Sequence, residues 1–219
     1  MAEDKGSVVQ TPVVLTPGVG SSYGHGWKQL WKYFLELLLI GIIGLVIGIL
    51  SGMGGWSGGA AILGIIGFVY MILIVGPVDY GVSFAHLKAA RGDKLEIKNM
   101  FEAFQNYWNA VLASILVGAI VIIGLALLIV PGIIFACKLA FTPYLVVDRK
   151  MEVIEAVKES WRMTNGRAWT VFFIGLLAIP ISIAGLICFG VGIIVSIMWI
   201  RLAFASLYHA VSASGEASA

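Results

Sequence analysis

The sequence predicts an all-α integral membrane protein with six transmembrane helices, arranged as three helical hairpins. Of its 219 residues, 60% are hydrophobic and only 12% are charged, whereas soluble domains contain roughly a quarter charged residues. Three long stretches lack any charge, and each contains a helix-breaking sequence near its middle. This composition excludes a soluble globular enzyme. The 27 glycines are interleaved with Ile, Leu and Val, which excludes a disordered chain.

The lengths of the uncharged stretches predict the number of spans. They comprise 42, 35 and 33 residues, at positions 37–78, 103–137 and 168–200. Since one spanning helix needs about 20 apolar residues, each stretch is long enough for two crossings. The expected turns are the glycine-rich run 52–59, Val130-Pro131-Gly132 and the glycines around Cys188. The predicted spans are residues 31–50, 60–82, 108–130, 133–147, 168–187 and 191–208.

The basic residues predict the orientation. Twelve of the 14 Lys and Arg residues lie before or at the start of the first predicted span, or in the connections after the second and fourth spans. The predicted hairpin turns carry none. The positive-inside rule therefore places both termini and both long connections in the cytoplasm. The first apolar stretch is too long and begins too late to be a cleavable signal peptide.

The two long connections are predicted to be amphipathic helices in the membrane interface, because their apolar residues recur at helical spacing between charges. These apolar residues are Ile97, Met100, Phe101, Phe104 and Trp108 in the first connection, and Val153, Ile154, Val157 and Trp161 in the second. We expect both helices to close the inner face of the bundle. The alternative is that they form a docking surface for a partner.

Three segments make up the predicted domain organisation: an extended N-terminal tail (residues 1–26), a six-helix membrane domain (27–211) and a flexible C-terminal tail (212–219). Pro12 and Pro17 argue against a helix in the tail, which is unusually apolar for a free segment. Within the domain, Lys138-Leu-Ala-Phe and Arg201-Leu-Ala-Phe recur in the returning helices of the second and third hairpins, which indicates duplication. The small residues Gly44, Gly48 and Gly52 predict close helix packing.

A family resemblance rests on several short segments. They are Gly-Pro-Val-Asp-Tyr-Gly at 76–81, Ala-Arg-Gly-Asp at 90–93, Pro-Gly-Ile-Ile at 131–134, Pro-Tyr-Leu-Val-Val-Asp at 143–148 and Glu-Ala-Val-Lys-Glu-Ser-Trp-Arg-Met-Thr at 155–164. Together they resemble the membrane domain attached to some glycerophosphodiester phosphodiesterases, and the related stand-alone prokaryotic membrane proteins. The resemblance implies a six-helix inner-membrane protein. The sequence contains no soluble phosphodiesterase domain, so the resemblance does not carry that activity over.

Two motifs that are typical of catalysis or nucleotide binding are absent from the sequence: there is no His-Glu-x-x-His and no phosphate-binding loop. We therefore expect a protein that is not an enzyme, with no catalytic, cofactor or metal site and no nucleic-acid partner. His25, His86 and His209 are all expected near the cytoplasmic interface, where we interpret them as three unrelated residues rather than one metal or proton site.

Four charged residues within the predicted helices are the candidate site: Glu36, Asp79, Lys138 and Arg201. Charges inside a membrane are costly unless they pair with each other or line a polar cavity. The two acids and two bases balance. Our hypothesis is that Lys138 and Arg201, which are equivalent in the repeat, each pair with one of the two acids.

The sequence favours a scaffold or accessory subunit of a membrane assembly, with membrane lipids and other subunits, or copies of itself, as partners. One alternative is a transporter or channel for a small solute or proton, with the charges along its path. The other is a lipid-handling protein, because a basic inner face attracts anionic headgroups.

The predicted cytoplasmic position of the N-terminal tail can be tested with protease. Protease added outside intact spheroplasts should leave residues 1–26 uncut, whereas the same protease should remove them in inverted vesicles. An immunoblot against an N-terminal tag reads out the cleavage. Loss of the tag in intact spheroplasts would contradict the predicted orientation.

Overall fold

The computed structural model describes residues 16–56, 67–187 and 191–216, and all regular structure within these ranges is helical. The elements are α1 (Val19–Lys32), α2 (Phe34–Trp56), α3 (Gly67–Arg91), a 3₁₀ helix (Ile97–Asn106), α4 (Tyr107–Leu127), α5 (Ile129–Leu139), α6 (Thr142–Asp148), α7 (Val153–Met163), α8 (Ala168–Ile187) and α9 (Val191–Glu216). The all-helical fold class is confirmed.

Several of these helices are long and apolar enough to cross a membrane. Five segments of the described chain meet this condition, namely Gly67–Arg91, Ile97–Leu127, Ile129–Asp148, Ala168–Ile187 and Gly192–Gly215. A sixth is added if α1 and the first part of α2, which meet at an angle of 95°, count as one bent span. The fold is therefore compatible with the predicted membrane protein.

The buried core lies at one end of the bundle. At this end basic residues lie on α3 and α9 or directly follow α6. In α3 the buried residues run almost without interruption from Pro77 to Ala90, and in α9 most residues between Leu202 and Ser212 are buried. The opposite ends of the long helices expose large apolar side chains such as Leu127 and Ile187. An apolar surface of this kind is suited to contact with lipid.

Gly81 brings α3 into contact with the 3₁₀ helix. A Cβ at this position would overlap the carbonyl group of Met100, whose side chain is fully buried. Only glycine leaves room for this backbone, so the position of the 3₁₀ helix depends on the missing side chain.

Pro77 interrupts α3, and a tyrosine compensates for the lost hydrogen bond. Proline has no N–H, so the carbonyl of Leu73, four residues earlier, loses its usual helical donor. The residues from Met71 to Val75 form a π-helical turn, and the hydroxyl of Tyr107 donates to the Leu73 carbonyl at 2.8 Å. The first residue of α4 thus replaces the hydrogen bond that Pro77 removes from α3.

A serine of α7 forms hydrogen bonds with backbone groups on both sides of the break between α5 and α6. Ser160 Oγ donates to the carbonyl of Lys138 at 2.8 Å and accepts from the N–H of Phe141 at 3.2 Å. Both backbone groups lie beside the break, and Pro143 stands in the first turn of α6. Thr164 Oγ1, just after α7, donates to the same Lys138 carbonyl at 3.1 Å. These two hydroxyl groups close the gap and attach α7 to the bundle.

Several predicted boundaries are corrected. The predicted extended tail is helical from Val19, because Tyr23, Gly26 and Leu30 at helical spacing pack into the bundle and Trp199 Nε1 donates to the Tyr23 carbonyl at 2.9 Å. Residues 1–15, residues 57–66, which include the end of the first predicted turn, and residues 188–190 lie outside the described residues.

Three other predicted boundaries also shift. α2 remains helical to Trp56, through the first glycines of the predicted turn. Between α4 and α5 the chain turns at the extended residue Leu128, and Pro131 lies in the first turn of α5, where a missing N–H costs nothing. The predicted C-terminal tail is helical to Glu216, and residues 217–219 lie outside the described part.

The second connection forms α7, but its buried face differs from the predicted apolar face. The bundle covers the small residues Ala156 and Ser160, whereas the side chains of Ile154 and Trp161 are 64% and 41% exposed. Small residues let α7 approach its neighbours closely, which explains the difference. The larger apolar side chains are left beside the bundle.

Replacing Gly81 with alanine should destabilise the protein by roughly 1–3 kcal/mol, because the new methyl group overlaps the Met100 backbone. Gly118→Ala in α4 is the matched control, since a Cβ there meets no described atom within 4 Å. Thermal unfolding in detergent measures both variants. Equal melting temperatures for Gly81→Ala and the wild type would contradict the close approach.

Candidate functional site

A cavity of about 210 Å³ lies between α2, α3 and α9. Two glycines of α2, Gly41 and Gly44, contribute to its wall without filling it. A Cβ at Gly44 would lie 3.6 Å from Val82 Cγ2, and one at Gly41 would meet no described atom within 4 Å. The predicted close packing at Gly44 is therefore wrong, because this glycine faces a cavity and an ordinary van der Waals contact.

Asp79 and Arg201 form an ion pair in the wall of this cavity. Nη2 of Arg201 donates to Oδ1 of Asp79 at 2.6 Å, joining α3 to α9. The two side chains are 35% (Arg201) and 50% (Asp79) exposed, and both line the cavity. Asp79 lies twelve residues before Arg91, the last residue of α3, whereas the predicted span 60–82 would place it near the end of the helix.

His86 completes the polar part of the cavity. It follows Asp79 by seven residues, two helical turns, and so lies on the same face of α3. The residue is 1% exposed, and Nδ1 lies 2.7 Å from the Val82 carbonyl. Because a carbonyl can only accept, Nδ1 carries the proton. Nε2 is buried and has no hydrogen-bond partner among the described residues, so it presents an unused lone pair.

The cavity has a polar end and an apolar end. Along α3 the lining residues pass from Val75 through Asp79 to His86, and along α9 they pass from Ile194 to Arg201. In both helices the polar groups lie toward the basic end of the bundle. The wall from α2 is apolar, with Ile40 and Leu45 among its residues. This arrangement complements a molecule with a polar head and an apolar tail.

The structure does not bring Lys138 and Glu36 together. Lys138 Nζ lies 3.2 Å from Asn165 Oδ1 and 5.5 Å from the centre of the Trp161 ring. Lys138 stands in the last turn of α5, so its long side chain reaches the region after α7 and not an acid. Among the described residues, none forms a hydrogen bond or an ion pair with Glu36. Lys138 and Arg201 were predicted to be equivalent, each paired with an acid. The prediction is wrong for Lys138, whose neighbours are Asn165 and Trp161.

A second ion pair, which the sequence did not reveal, connects the basic ends of α3 and α6. Arg91 donates from both terminal nitrogens to the two carboxylate oxygens of Asp148, at 2.6 and 2.7 Å. The hydroxyl of Tyr208 donates to the same carboxylate at 3.3 Å. Two parallel hydrogen bonds between a guanidinium and a carboxylate are geometrically specific, so this pair ties α3, α6 and α9 together at the core.

The site contains hydrogen-bonding groups but no set of metal ligands. Within the described ranges, no group of three His, Cys, Asp or Glu residues is placed to hold a metal ion. His25 lies apart from the cavity, with Nε2 2.8 Å from the Ala90 carbonyl. His86 was not predicted to lie beside Asp79. The sequence signal for it is their seven-residue spacing, which places both residues on one face of a helix. The arrangement offers donors from Arg201 and an acceptor from His86.

Removing the base of the ion pair should destabilise the protein. Arg201→Leu leaves Asp79 without its partner. We expect the free energy of unfolding to fall by up to about 3 kcal/mol. This is the low end of the range for buried pairs, because half of the Asp79 side chain is exposed. The double variant Arg201→Leu/Asp79→Leu should lose less, because no charge remains unpaired. Thermal unfolding in detergent measures the difference.

Lys138→Ala is the control for this experiment. It should cost less than about 1 kcal/mol, the value of an exposed cation–π contact, because Lys138 has no acidic partner among the described residues. Equal losses for Lys138→Ala and Arg201→Leu would contradict the assigned pairing.

Comparisons with known proteins give one match. A family model described as a domain of unknown function (DUF7847) matches residues 107–217, which include Arg201 but not Asp79 or His86. No curated protein and no solved structure matches the chain. Because the match covers more than half of the sequence, the chain belongs to the DUF7847 family.

Proposed function

We propose that this protein is a non-enzymatic integral membrane protein that handles lipid by binding an amphiphile in the cavity between α2, α3 and α9. The observation that carries this proposal is the distribution of polarity in the cavity, with Arg201 and His86 at one end and aliphatic side chains at the other. Pockets for small ligands are mostly apolar with a few placed polar groups.

The depth of the cavity supports access from the bilayer. Lys88 follows Asp79 by nine residues on α3, a rise of about 14 Å, which is close to half of the hydrocarbon thickness. Ile42, Leu45 and Ile197 line the cavity and are each more than 40% exposed. An acyl chain entering from the lipid phase would meet these side chains first.

For the topology we propose six spans in three hairpins, with both termini in the cytoplasm of a prokaryotic cell and the chain in its inner membrane. The contacts between α4 and α5 and between α8 and α9 support two of the hairpins. The pair between Arg91 and Asp148 supports a shared basic end for α3 and α6. The resemblance to membrane domains of glycerophosphodiester phosphodiesterases stays a prediction, and the proposal does not depend on it.

A scaffold or accessory subunit is the second candidate. It is favoured by the exposed apolar side chains of Ile154 and Trp161 on α7 and of Phe101 and Phe104 on the 3₁₀ helix. These segments carry the surface that another membrane subunit or a second copy of the chain would contact. A transporter receives less support, because the wall that α2 gives to the cavity is apolar.

Filling the cavity tests the proposal. Gly41→Phe places a ring in the cavity, whereas Gly118→Phe adds the same side chain to α4, where a Cβ meets no described atom within 4 Å. In lipid nanodiscs, a photoactivatable twelve-carbon amphiphile should crosslink to cavity residues of the wild type and of Gly118→Phe, as mapped by mass spectrometry.

The labelling of cavity residues should fall at least about tenfold in Gly41→Phe, because the cavity no longer admits the chain. Undiminished labelling in that variant would contradict binding in the cavity. Recovery of a stoichiometric protein partner in mild detergent, together with no cavity labelling, would favour the scaffold instead.

A further inference from the structure

The polar end of the cavity is already electrically balanced. The positive charge of Arg201 is paired with Asp79 at 2.6 Å. His86 is buried without an acidic hydrogen-bond partner among the described residues, which favours the neutral ring. Since its Nδ1 donates to the Val82 carbonyl, the lone pair of the neutral ring is on Nε2. A negatively charged headgroup would therefore add an uncompensated charge to a region of low dielectric constant and compete with Asp79 for the guanidinium.

The hydrogen-bonding groups that remain are of two kinds. Nε2 of neutral His86 can only accept a hydrogen bond. Arg201 can only donate, and only its Nη2 is bonded to a described residue. A ligand that satisfies both residues must carry a donor and an acceptor without a net charge. A hydroxyl group has both properties, since its O–H donates and its oxygen accepts.

We infer that the cavity selects an uncharged amphiphile with a hydroxyl-bearing head, such as a fatty alcohol or an acylated glycerol, over an anionic one. The hydroxyl donates to Nε2 of His86, a head oxygen accepts from Arg201, and the chain lies along the aliphatic residues of α2 and α9. This inference rests on the proposed function, because it names the class of ligand for the same cavity.

Competition between headgroups tests the inference in nanodiscs that contain the full chain. Three diazirine probes with the same twelve-carbon chain carry an alcohol, a methyl ether or a sulfonate. The ether lacks the donor, and the sulfonate carries a negative charge. Unlabelled 1-dodecanol, dodecyl methyl ether and dodecanesulfonate compete at equal mole fractions in the bilayer.

In the wild type, 1-dodecanol should displace the alcohol probe about tenfold more effectively than the ether does, the effect of one hydrogen bond to a buried acceptor. The sulfonate should compete no better than the ether. In His86→Leu the advantage of the alcohol over the ether should shrink to less than about twofold, while the cavity is still labelled.

Equal competition by the alcohol and the ether in the wild type would overturn the inference, and so would preferential labelling by the sulfonate probe. Either result still leaves an amphiphile in the cavity and so leaves the proposed function intact. Failure of all three probes to label the cavity would overturn both. If His86→Leu does not fold, as judged by gel filtration, the competition in the wild type decides alone.

Discussion

Hydrocarbon provides no hydrogen bonds, so every backbone N–H and C=O inside a membrane needs a partner within the protein. This requirement organises the bundle wherever a helix is interrupted. The carbonyl that Pro77 leaves without a donor is bound by Tyr107, and the break before α6 is bridged by Ser160. In each case the compensating hydroxyl comes from another helix. The interruptions of the helical hydrogen-bond pattern therefore become points at which α3 joins α4 and α5 joins α7.

The same lack of solvation explains the placement of charge. Arg91 and Asp148 are paired in the packed core, and Arg201 and Asp79 are paired in the cavity wall. Lys138 avoids the problem by extending from the last turn of α5 toward polar and aromatic groups, as long basic side chains do near helix ends. His86 differs from these paired groups, because its buried Nε2 lacks a partner among the described residues, as do buried oxygens of Gln29, Thr142 and Ser206.

Glycine serves two opposite purposes in this bundle. At Gly81, and where Gly124 faces Gly132, the missing side chain allows two backbones to touch. At Gly41 the missing side chain leaves space that no described residue fills, and at Gly44 only Val82 comes within 4 Å; both glycines line the cavity. A glycine pattern in an apolar helix therefore predicts either contact or cavity. Only the position of the neighbouring helix distinguishes the two outcomes.

The sequence by itself determined the helical class and the apolar stretches, because an uncharged run of 33 or more residues has few alternatives. It also identified Asp79 and Arg201 as unusual. The tertiary structure decides the helix ends, the different environments of Lys138 and Arg201, and the position of His86 beside the cavity. These features depend on which groups of distant segments come within hydrogen-bonding distance. Local spacing placed His86 on the face of Asp79, but only the arrangement of α2, α3 and α9 created the cavity that both residues line.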